Sequence, residues 1–348
     1  MTTFSLLARR SVRFVGVFVA VAVMAVSLHG VPTATAEPVK VRIGASSILP
    51  TVIFPMFYKK PELLKHYGKS YTVDLPVINS TSIQLQALAA KEIDLGFLAA
   101  LSLGNAIQNA KLDLRVVSDL VQEGIEGRSI NRWLALDSSG ITKPEHLKGK
   151  NIGVLAYGTA VDLILRTYLK QHGLDPNRDV NIVEAAFPNQ GPMMRAGKLD
   201  VAGLVIPFTV IEQAKGGVHT VFGGPDAMGR HQALITVART EFLQQNRQVM
   251  NDFFEDWLNA WRWFIDPKNK QEVLQIASSM SKIPVDKLQW YGTTDDYYRD
   301  PAAMPHLPSL QRNVDTAFEM GFIKERLDVA KITDLSFLEE AKRRLGVK

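Results

Sequence analysis

The sequence predicts an α/β fold made of two successive α/β units and a helical tail. Short apolar runs alternate with helical patterns from Val39 onward, and a second set of the same kind begins after Arg132. From Thr240 the pattern is helical throughout. Alternating strands and helices are typical of sheets whose strands are mostly parallel, so each unit is predicted to hold a largely parallel sheet flanked by helices.

The first unit contains four short runs whose alternation or apolar character predicts strands. These runs lie at 39–44, 71–77, 93–98 and 114–119. Helices are predicted at 61–67 and 81–91, and in the second of these Leu85 and Leu88 share one face.

The second unit repeats this pattern over a similar length. Its strands are predicted at 133–136, 151–155, 180–184, 201–205, 218–222 and 233–237, and short helices at 144–147 and 191–196. A longer helix follows the strand at 151–155, because apolar residues recur there at helical spacing. Those residues are Val161, Ile164, Leu165 and Tyr168.

The tail is predicted to contain a long helix whose aromatic face packs in the core. That face consists of Met250, Phe253, Trp257, Trp261 and Phe264. Asp266 and Pro267 end this helix. Further helices are predicted near 284–290, 310–321 and 335–345.

Residues 1–36 are predicted to be a secretory signal peptide. The basic residues Arg9, Arg10 and Arg13 precede an apolar run at 14–28, and an Ala-x-Ala site ends at Ala36. The alternative is a membrane anchor, but the run is short for a spanning helix of about 20 residues. We therefore expect cleavage after Ala36 and export, with the twin-arginine route left open by Arg9 and Arg10.

Composition narrows the possible classes of protein. Without the three arginines of 1–36, the 40 basic and 35 acidic side chains leave a net charge of +2, and no basic arm indicates nucleic-acid binding. The absence of cysteine excludes disulfides, thiolate metal sites, cysteine nucleophiles and a lipid-anchored cysteine. We expect a periplasmic monomer that does not insert into the membrane after cleavage.

Motifs typical of enzymes are missing from the sequence. It contains no phosphate loop, no G-x-S-x-G elbow, no H-E-x-x-H and no G-x-G-x-x-G. Asp295 and Asp296 could form an acid or metal pair, but a surface turn or helix start is the preferred interpretation. We therefore expect no catalysis, no cofactor and no metal.

Five segments carry a resemblance to a known family. The stretch from Ile141 to Val154, ITKPEHLKGKNIGV, resembles the S-P-x-D-L-K-G-K-x-I-x-V segment of the solute-binding proteins of ABC importers. Segments at 41–47, 84–97, 157–169 and 194–208 resemble the nitrate/sulfonate/taurine group, which includes thiamine-pyrimidine binders. The similarity extends over roughly 40–341.

This resemblance implies a bilobal periplasmic binding protein of type II-like fold. Two mixed sheets flanked by helices would form lobe one from 38–130 plus 232–348 and lobe two from 131–231. Two hinge crossovers would lie near 128–132 and 230–234. The lobes would close on a small organic solute and deliver it to the membrane permease of an ABC importer.

The predicted ligand contacts lie where strands end and helices begin, because ligands of open α/β sheets bind beyond the carboxyl ends of strands. They are Ser46, Ser47, Ile48, Ser80, Thr81, Ser82, Ala99, Ala100, Tyr157, Gly158, Thr159, Ala160, Pro207 and Phe208. Thr159 is predicted to cap its helix, with Asp162 completing a capping box. Capping alone would also account for these polar helix starts.

The sequence departs from better-known members of the group. A polar T-G pair is replaced by Ala99 and Ala100, W-D-P is replaced by Val205-Ile206-Pro207, and the candidate loops lack Arg and Lys. These changes favour a partly apolar or aromatic organic solute over nitrate or bicarbonate. Two alternatives stay open: an enzyme of the same fold acting on a pyrimidine or related metabolite, and a binding protein that feeds a sensor.

Overall fold

The computed structural model describes residues 37–46 and 59–347. The strands in this part of the chain are β1 Val39–Arg42, β2 Tyr71–Asp74, β3 Leu95–Leu98, β4 Leu114–Glu123, β5 Asn131–Leu136, β6 Asn151–Val154, β7 Asn181–Glu184, β8 Val201–Val205, β9 Val218–Gly223 and β10 His231–Arg239. The helices are α1 Thr81–Ala89, α2 Ala100–Gln108, α3 Ala160–Gln171, α4 Phe187–Arg195, α5 Phe208–Ala214, α6 Gly224–Met228, α7 Thr240–Gln245, α8 Arg247–Ile265, α9 Lys270–Ser281, α10 Leu307–Glu319 and α11 Ser336–Leu345.

The strands form two mixed sheets of the same design. In the first sheet, the parallel pair β2–β1 is joined to β3–β10–β4 by a bridge between Ile43 and Leu95. The second sheet has the order β7–β6–β8–β5–β9. One strand of each sheet, β10 or β5, is antiparallel to its neighbours, and the other four are parallel to one another. The predicted largely parallel sheets are confirmed, with one reversed strand in each.

The same glutamine–glycine packing joins a helix to each sheet. In the first sheet, Gln84 of α1 fills the space that a Cβ on Gly44 or Gly96 would occupy. In the second sheet, Gln190 of α4 lies against Gly153 and accepts a hydrogen bond from the backbone N–H of Gly203 at 2.9 Å. Glycine at these positions allows each helix to lie close to the strands of its own sheet. The start of α1 and the start of α4 therefore lie at the corresponding edge of their two sheets.

The chain passes between the sheets twice. It leaves the first sheet after Glu123 at the end of β4 and enters the second at Asn131 of β5. It returns through α6 and rejoins the first sheet at His231 of β10. The antiparallel strand of each sheet is therefore the one that directly follows a crossing.

The helical tail packs against the first part of the chain. The predicted core-facing stripe of α8 is confirmed, because Met250, Phe253, Trp257, Trp261 and Phe264 are all at most 1% exposed. α11 packs along α8, and α10 packs along α2 and β10.

Several local predictions differ from the structure. The stretches predicted as helices at 61–67 and 284–290 contain only the short 3₁₀ turns Pro61–Leu63 and Val285–Leu288. Helix α2 was not predicted, because Gly104 and Asn105 weaken its helical pattern. Tertiary packing favours it, since a Cβ on Gly104 would lie 2.6 Å from Ile323.

Two predictions concern residues outside the described part of the chain. These are the predicted signal peptide at 1–36 and the predicted contacts Ser47 and Ile48. Within residues 37–46 and 59–347, no helix combines the length and apolar character needed to cross a membrane.

Candidate ligand-binding site

A chamber of about 70 Å³ lies where the two sheets and both crossings meet. A single water needs roughly 10–15 Å³ on the same scale, so the chamber has room for a small organic group. We call it the inner chamber. Its described lining residues are Ser46, Asn79, Thr81, Phe97, Val121, Ile130, Asn131, Leu155, Thr159, Ala160, Val161, Phe187, Val205, Ala233 and Leu234.

The wall of the inner chamber is mostly apolar and carries no charge among these residues. Phe97 and Phe187 contribute aromatic rings and are nearly fully buried. The polar side chains are Ser46, Asn79, Thr81, Asn131 and Thr159. Such a wall suits a ligand that combines an apolar body with a few hydrogen-bonding groups.

Three helices begin at the inner chamber. The lining residues Thr81, Ala160 and Phe187 are the first residues of α1, α3 and α4, and no N-cap side chain hydrogen-bonds to any of these helix starts. Backbone N–H groups of a first turn lack partners inside the helix and carry partial positive charge. At α4 only the first N–H is available, because Pro188 has no N–H and Asn189 donates to the carbonyl of Ala186 at 2.8 Å. The chamber therefore offers hydrogen-bond donors to a polar or anionic group without any cationic side chain.

The predicted capping box at the start of α3 is wrong. Thr159 occupies the N-cap position, but its hydroxyl donates to the carbonyl of Ala156 at 2.7 Å. Asp162 accepts from the backbone N–H of Gly158 and pairs with Arg166 at 2.6 Å instead of reaching Thr159. The positive φ of Gly158, 73°, turns the backbone so that its own N–H faces Asp162.

A wider cavity of about 690 Å³ continues from the inner chamber. The two share Asn79 and Leu155, which mark the junction between them. We call the wider cavity the outer groove. Its described lining residues are Asn79, Ser80, Ser82, Ile83, Leu155, Ala156, Tyr157, Glu184, Ala186, Pro188, Phe208, Ser281 and Ile283.

Two serines link the first sheet's helices to the loop that precedes α3. Ser82 of α1 donates to the carbonyl of Tyr157 at 3.1 Å, and Ser102 of α2 donates to the carbonyl of Gly158 at 2.8 Å. Ser102 also lies 2.9 Å from the hydroxyl of Thr81. These contacts join helices of the first sheet to a loop of the second sheet, and we call them the serine latch.

A buried carboxylate ties the two crossings together. Glu123 accepts hydrogen bonds from the Ser129 hydroxyl, the backbone N–H groups of Ile130 and Asn131, and the Asn131 side-chain amide. The imidazole Nε2 of His231, at the start of β10, lies 3.5 Å from the same carboxylate. Burial raises the pKa of Glu123, but the interaction with His231 and the backbone donors outweighs it and holds this pKa below its ordinary value.

The described predicted contacts do not all lie at one site. Ser46, Thr81, Thr159 and Ala160 line the inner chamber, and Ser80, Ser82, Tyr157 and Phe208 line the outer groove. Ala99 and Ala100 line a separate cavity of about 10 Å³ beside His231. Gly158 takes part in the serine latch, and Pro207 lies next to Phe208 outside the lining of both cavities.

Sequence reasoning missed the part of the chamber formed by the crossings. Val121, Ile130, Asn131, Ala233 and Leu234 all lie in or beside β4, β5 and β10. The predicted positions of the two crossings were the available signal, because residues at a crossing face both sheets. Asn79, which directly precedes the predicted contacts Ser80, Thr81 and Ser82, was not predicted to line the site.

Comparison with known proteins gives a family and a fold. A model of the NMT1-like family matches residues 34–278, more than half of the chain. No curated protein matches the sequence.

Solved structures of similar fold include both binding proteins and an enzyme. The alkanesulfonate-binding protein SsuA from Xanthomonas axonopodis pv. citri, bound to MOPS, is 17% identical with a TM-score of 0.69, over 86% of this chain and 99% of that one. The periplasmic nitrate-binding protein NrtA from Synechocystis PCC 6803 is 14% identical with a TM-score of 0.71, over 90% of each chain. The desulfurization enzyme DSZB is 14% identical with a TM-score of 0.62, over 88% of this chain and 99% of that one.

These similarities confirm the fold class and the resemblance inferred from the sequence. The chain has the mixed α/β fold of sulfonate- and nitrate-binding periplasmic proteins. At these identities the solved structures establish the fold alone.

Proposed function

We propose that this chain, which belongs to the NMT1-like family, is the periplasmic solute-binding component of an ABC importer. The observation that carries this proposal is the composition of the inner chamber's wall. Both sheets and both crossings contribute to it. A solute bound there would touch every part of the molecule that has to move for the cleft to close.

The mechanism would be closure of two lobes about the crossings. Lobe one comprises 38–130 and 232–348, and lobe two comprises 131–231. A solute that contacts both lobes only when they are closed shifts the population toward the closed form by that difference in affinity. The serine latch adds contacts that exist only when the cleft is closed.

The solute is a small organic compound with an apolar or aromatic body and at least one hydrogen-bond acceptor. The starts of α1 and α3 would bind the acceptor, and Phe97 and Phe187 would cover the apolar body. Nitrate or bicarbonate would leave this apolar wall in contact with water. An acid could bind to this uncharged wall through backbone N–H groups, without a bidentate contact to an arginine.

The cellular setting follows from the same proposal. Residues 1–36 direct export and are removed after Ala36, and the mature chain is a monomer that docks on a membrane permease in its closed form. A sensor protein could take the place of the permease, because both partners would recognise the same closed form. Co-purification of the closed form with a permease would favour transport.

An enzyme of the same fold is the second candidate, and the similarity to the desulfurization enzyme DSZB is the observation that favours it. Against it, none of the described residues lining the inner chamber is titratable, and the sequence has no cysteine nucleophile. Mass spectrometry of a bound solute after prolonged incubation separates the two. An unchanged mass is expected, and a recovered product would favour the enzyme.

Substituting both threonines at the helix starts should weaken solute binding. We expect Thr81→Ala with Thr159→Ala to raise the dissociation constant about 30-fold, since each hydroxyl contributes about 1 kcal/mol when it hydrogen-bonds a ligand. The solute is first identified by a thermal-shift screen of organic acids, sulfonates and pyrimidines. A solute present at about 100 times its dissociation constant should raise the free energy of unfolding by about 2.7 kcal/mol. Calorimetry then compares the double variant with Thr316→Ala, whose hydroxyl bonds only within α10. Equal affinities would show that neither hydroxyl contacts the solute.

Removing the serine latch should open the cleft. We expect Ser82→Ala with Ser102→Ala to cost about 2 kcal/mol of closed-state stability, since each net hydrogen bond contributes about 1 kcal/mol. The radius of gyration from small-angle X-ray scattering should exceed that of the unmodified protein. Ser279→Ala is the control, because its hydroxyl bonds to Ile276 of its own helix. Equal radii for the double variant and the control would show that the latch does not hold the cleft closed in solution.

A further inference from the structure

Glu184 is the one charged side chain among the described residues that line the inner chamber and the outer groove. It is the last residue of β7 and is exposed. No lysine or arginine of the described chain lies within salt-bridge distance of it, whereas nearby Asp162 is paired with Arg166 at 2.6 Å. Glu184 therefore has no ion-pair partner among the described side chains, and the nearby Arg166 guanidinium lies 5.8 Å from the centre of the Tyr157 ring.

The carboxylate of Glu184 is held in place by the loop that precedes α3. One oxygen, Oε1, accepts the backbone N–H of Tyr157 at 2.5 Å. The Tyr157 hydroxyl in turn donates to the carbonyl of Ile182, on the same strand as Glu184, at 2.9 Å. This arrangement fixes one carboxylate oxygen of a residue that lines the outer groove.

Aromatic surface lies in the same groove. Tyr157 is 48% exposed, and Phe208 lines the groove as well. Ser82 and Ser281 line the same wall, and their hydroxyls, which donate to the carbonyls of Tyr157 and Ala277, can still accept a hydrogen bond. A carboxylate beside aromatic faces and hydroxyls is a suitable environment for an ammonium group, because the cation gains both charge-assisted hydrogen bonds and contact with a ring.

We propose that the outer groove binds the cationic end of the solute and that Glu184 determines this specificity. The inference rests on the proposed solute-binding function and narrows its ligand class. The solute has an acceptor group at the helix starts of the inner chamber, an apolar body through the junction at Asn79 and Leu155, and an amine at Glu184. Compounds with an anionic outer end are disfavoured by the same carboxylate.

Three probes with one body and different outer ends test the proposal by calorimetry. They are para-aminomethylbenzoate, with a cationic end, para-toluate, with a neutral end, and homoterephthalate, with an anionic end. The unmodified protein should bind the first at least about tenfold more tightly than the second, and the third most weakly. In Glu184→Gln, which retains an acceptor for the Tyr157 N–H, the preference for the cationic end should fall to about threefold or less.

Glu145→Gln is the matched control, since Glu145 is exposed and lies outside the lining of both cavities. It should keep the binding order of the unmodified protein. The proposal is overturned if the neutral or anionic probe binds as tightly as the cationic one, if both variants lose the preference equally, or if none of the probes binds. A solute without an amine that binds and compacts the protein would overturn this ligand class but leave the proposed function standing. Failure of all solutes in the wider screen to bind would count against the function itself.

Discussion

Replacing Glu123 with alanine should lower the free energy of unfolding by about 3–5 kcal/mol. The substitution removes the acceptor for the backbone N–H groups of Ile130 and Asn131 and for the side chains of Ser129 and Asn131. It also leaves the buried His231 without its carboxylate. Each buried donor that loses its partner costs about 1–3 kcal/mol, so the loss is large although only one side chain changes.

Urea unfolding followed by circular dichroism measures this loss. Glu145→Ala serves as the control, because an exposed carboxylate should contribute less than about 0.5 kcal/mol. Glu123→Gln should lie between the two, since the amide oxygen still accepts hydrogen bonds from the crossing. A loss below about 1 kcal/mol for Glu123→Ala would show that the two crossings are held together by other contacts.

A buried aspartate should make the protein less stable as the pH rises. Asp119 of β4 is fully buried, and burial raises its pKa to about 7 although Gln232 and Gln122 donate to it at 2.6 and 3.1 Å. In the unfolded chain an aspartate has a pKa of about 3.9. Between these values the folded state retains a proton that the unfolded state has lost.

The sign of the effect follows from this difference. The free energy of unfolding falls with rising pH wherever the folded state binds more protons than the unfolded state. Asp119 should therefore lower the free energy of unfolding progressively between about pH 4 and about pH 7, by up to about 4 kcal/mol in total. Asp119→Asn removes this contribution to the pH dependence. The free energy of unfolding of the variant, relative to that of the unmodified protein, should therefore rise by about 4 kcal/mol between about pH 4 and about pH 7. Denaturant unfolding at several pH values checks it, with the exposed Asp286→Asn as control. A constant difference between Asp119→Asn and the unmodified protein would contradict the assignment.

The strands and the long helix of the tail could be predicted because their patterns are strong and local. The aromatic stripe of α8 recurs at helical spacing, and the run at 201–205 is apolar throughout and matches β8. Helix α2 could not be predicted in this way. It contains Gly104 and Asn105, and its stability comes from packing against β10 and α10.

Site residues at helix starts could be predicted from the sequence, whereas site residues at the crossings between the two sheets could not. Thr81 and Thr159 follow strands, and the rule that ligands bind beyond strand ends places such residues at the cleft. Asn131 and Leu234 belong to the reversed strands, whose place in the sheets depends on long-range pairing. Ser102 belongs to the unpredicted helix α2, so its hydrogen bond to Gly158 had no counterpart in the sequence patterns.

The central claim is that the two lobes close on a bound solute. It is tested most directly by small-angle X-ray scattering of the mature chain, with and without a solute found by the thermal-shift screen. If the two lobes close about the crossings, a saturating solute should lower the radius of gyration, and Ser82→Ala with Ser102→Ala should enlarge the difference between the free and bound forms. Weaker binding to Thr81→Ala with Thr159→Ala would show that the solute binds in the inner chamber. If such a solute leaves the radius of gyration unchanged, closure is not the mechanism.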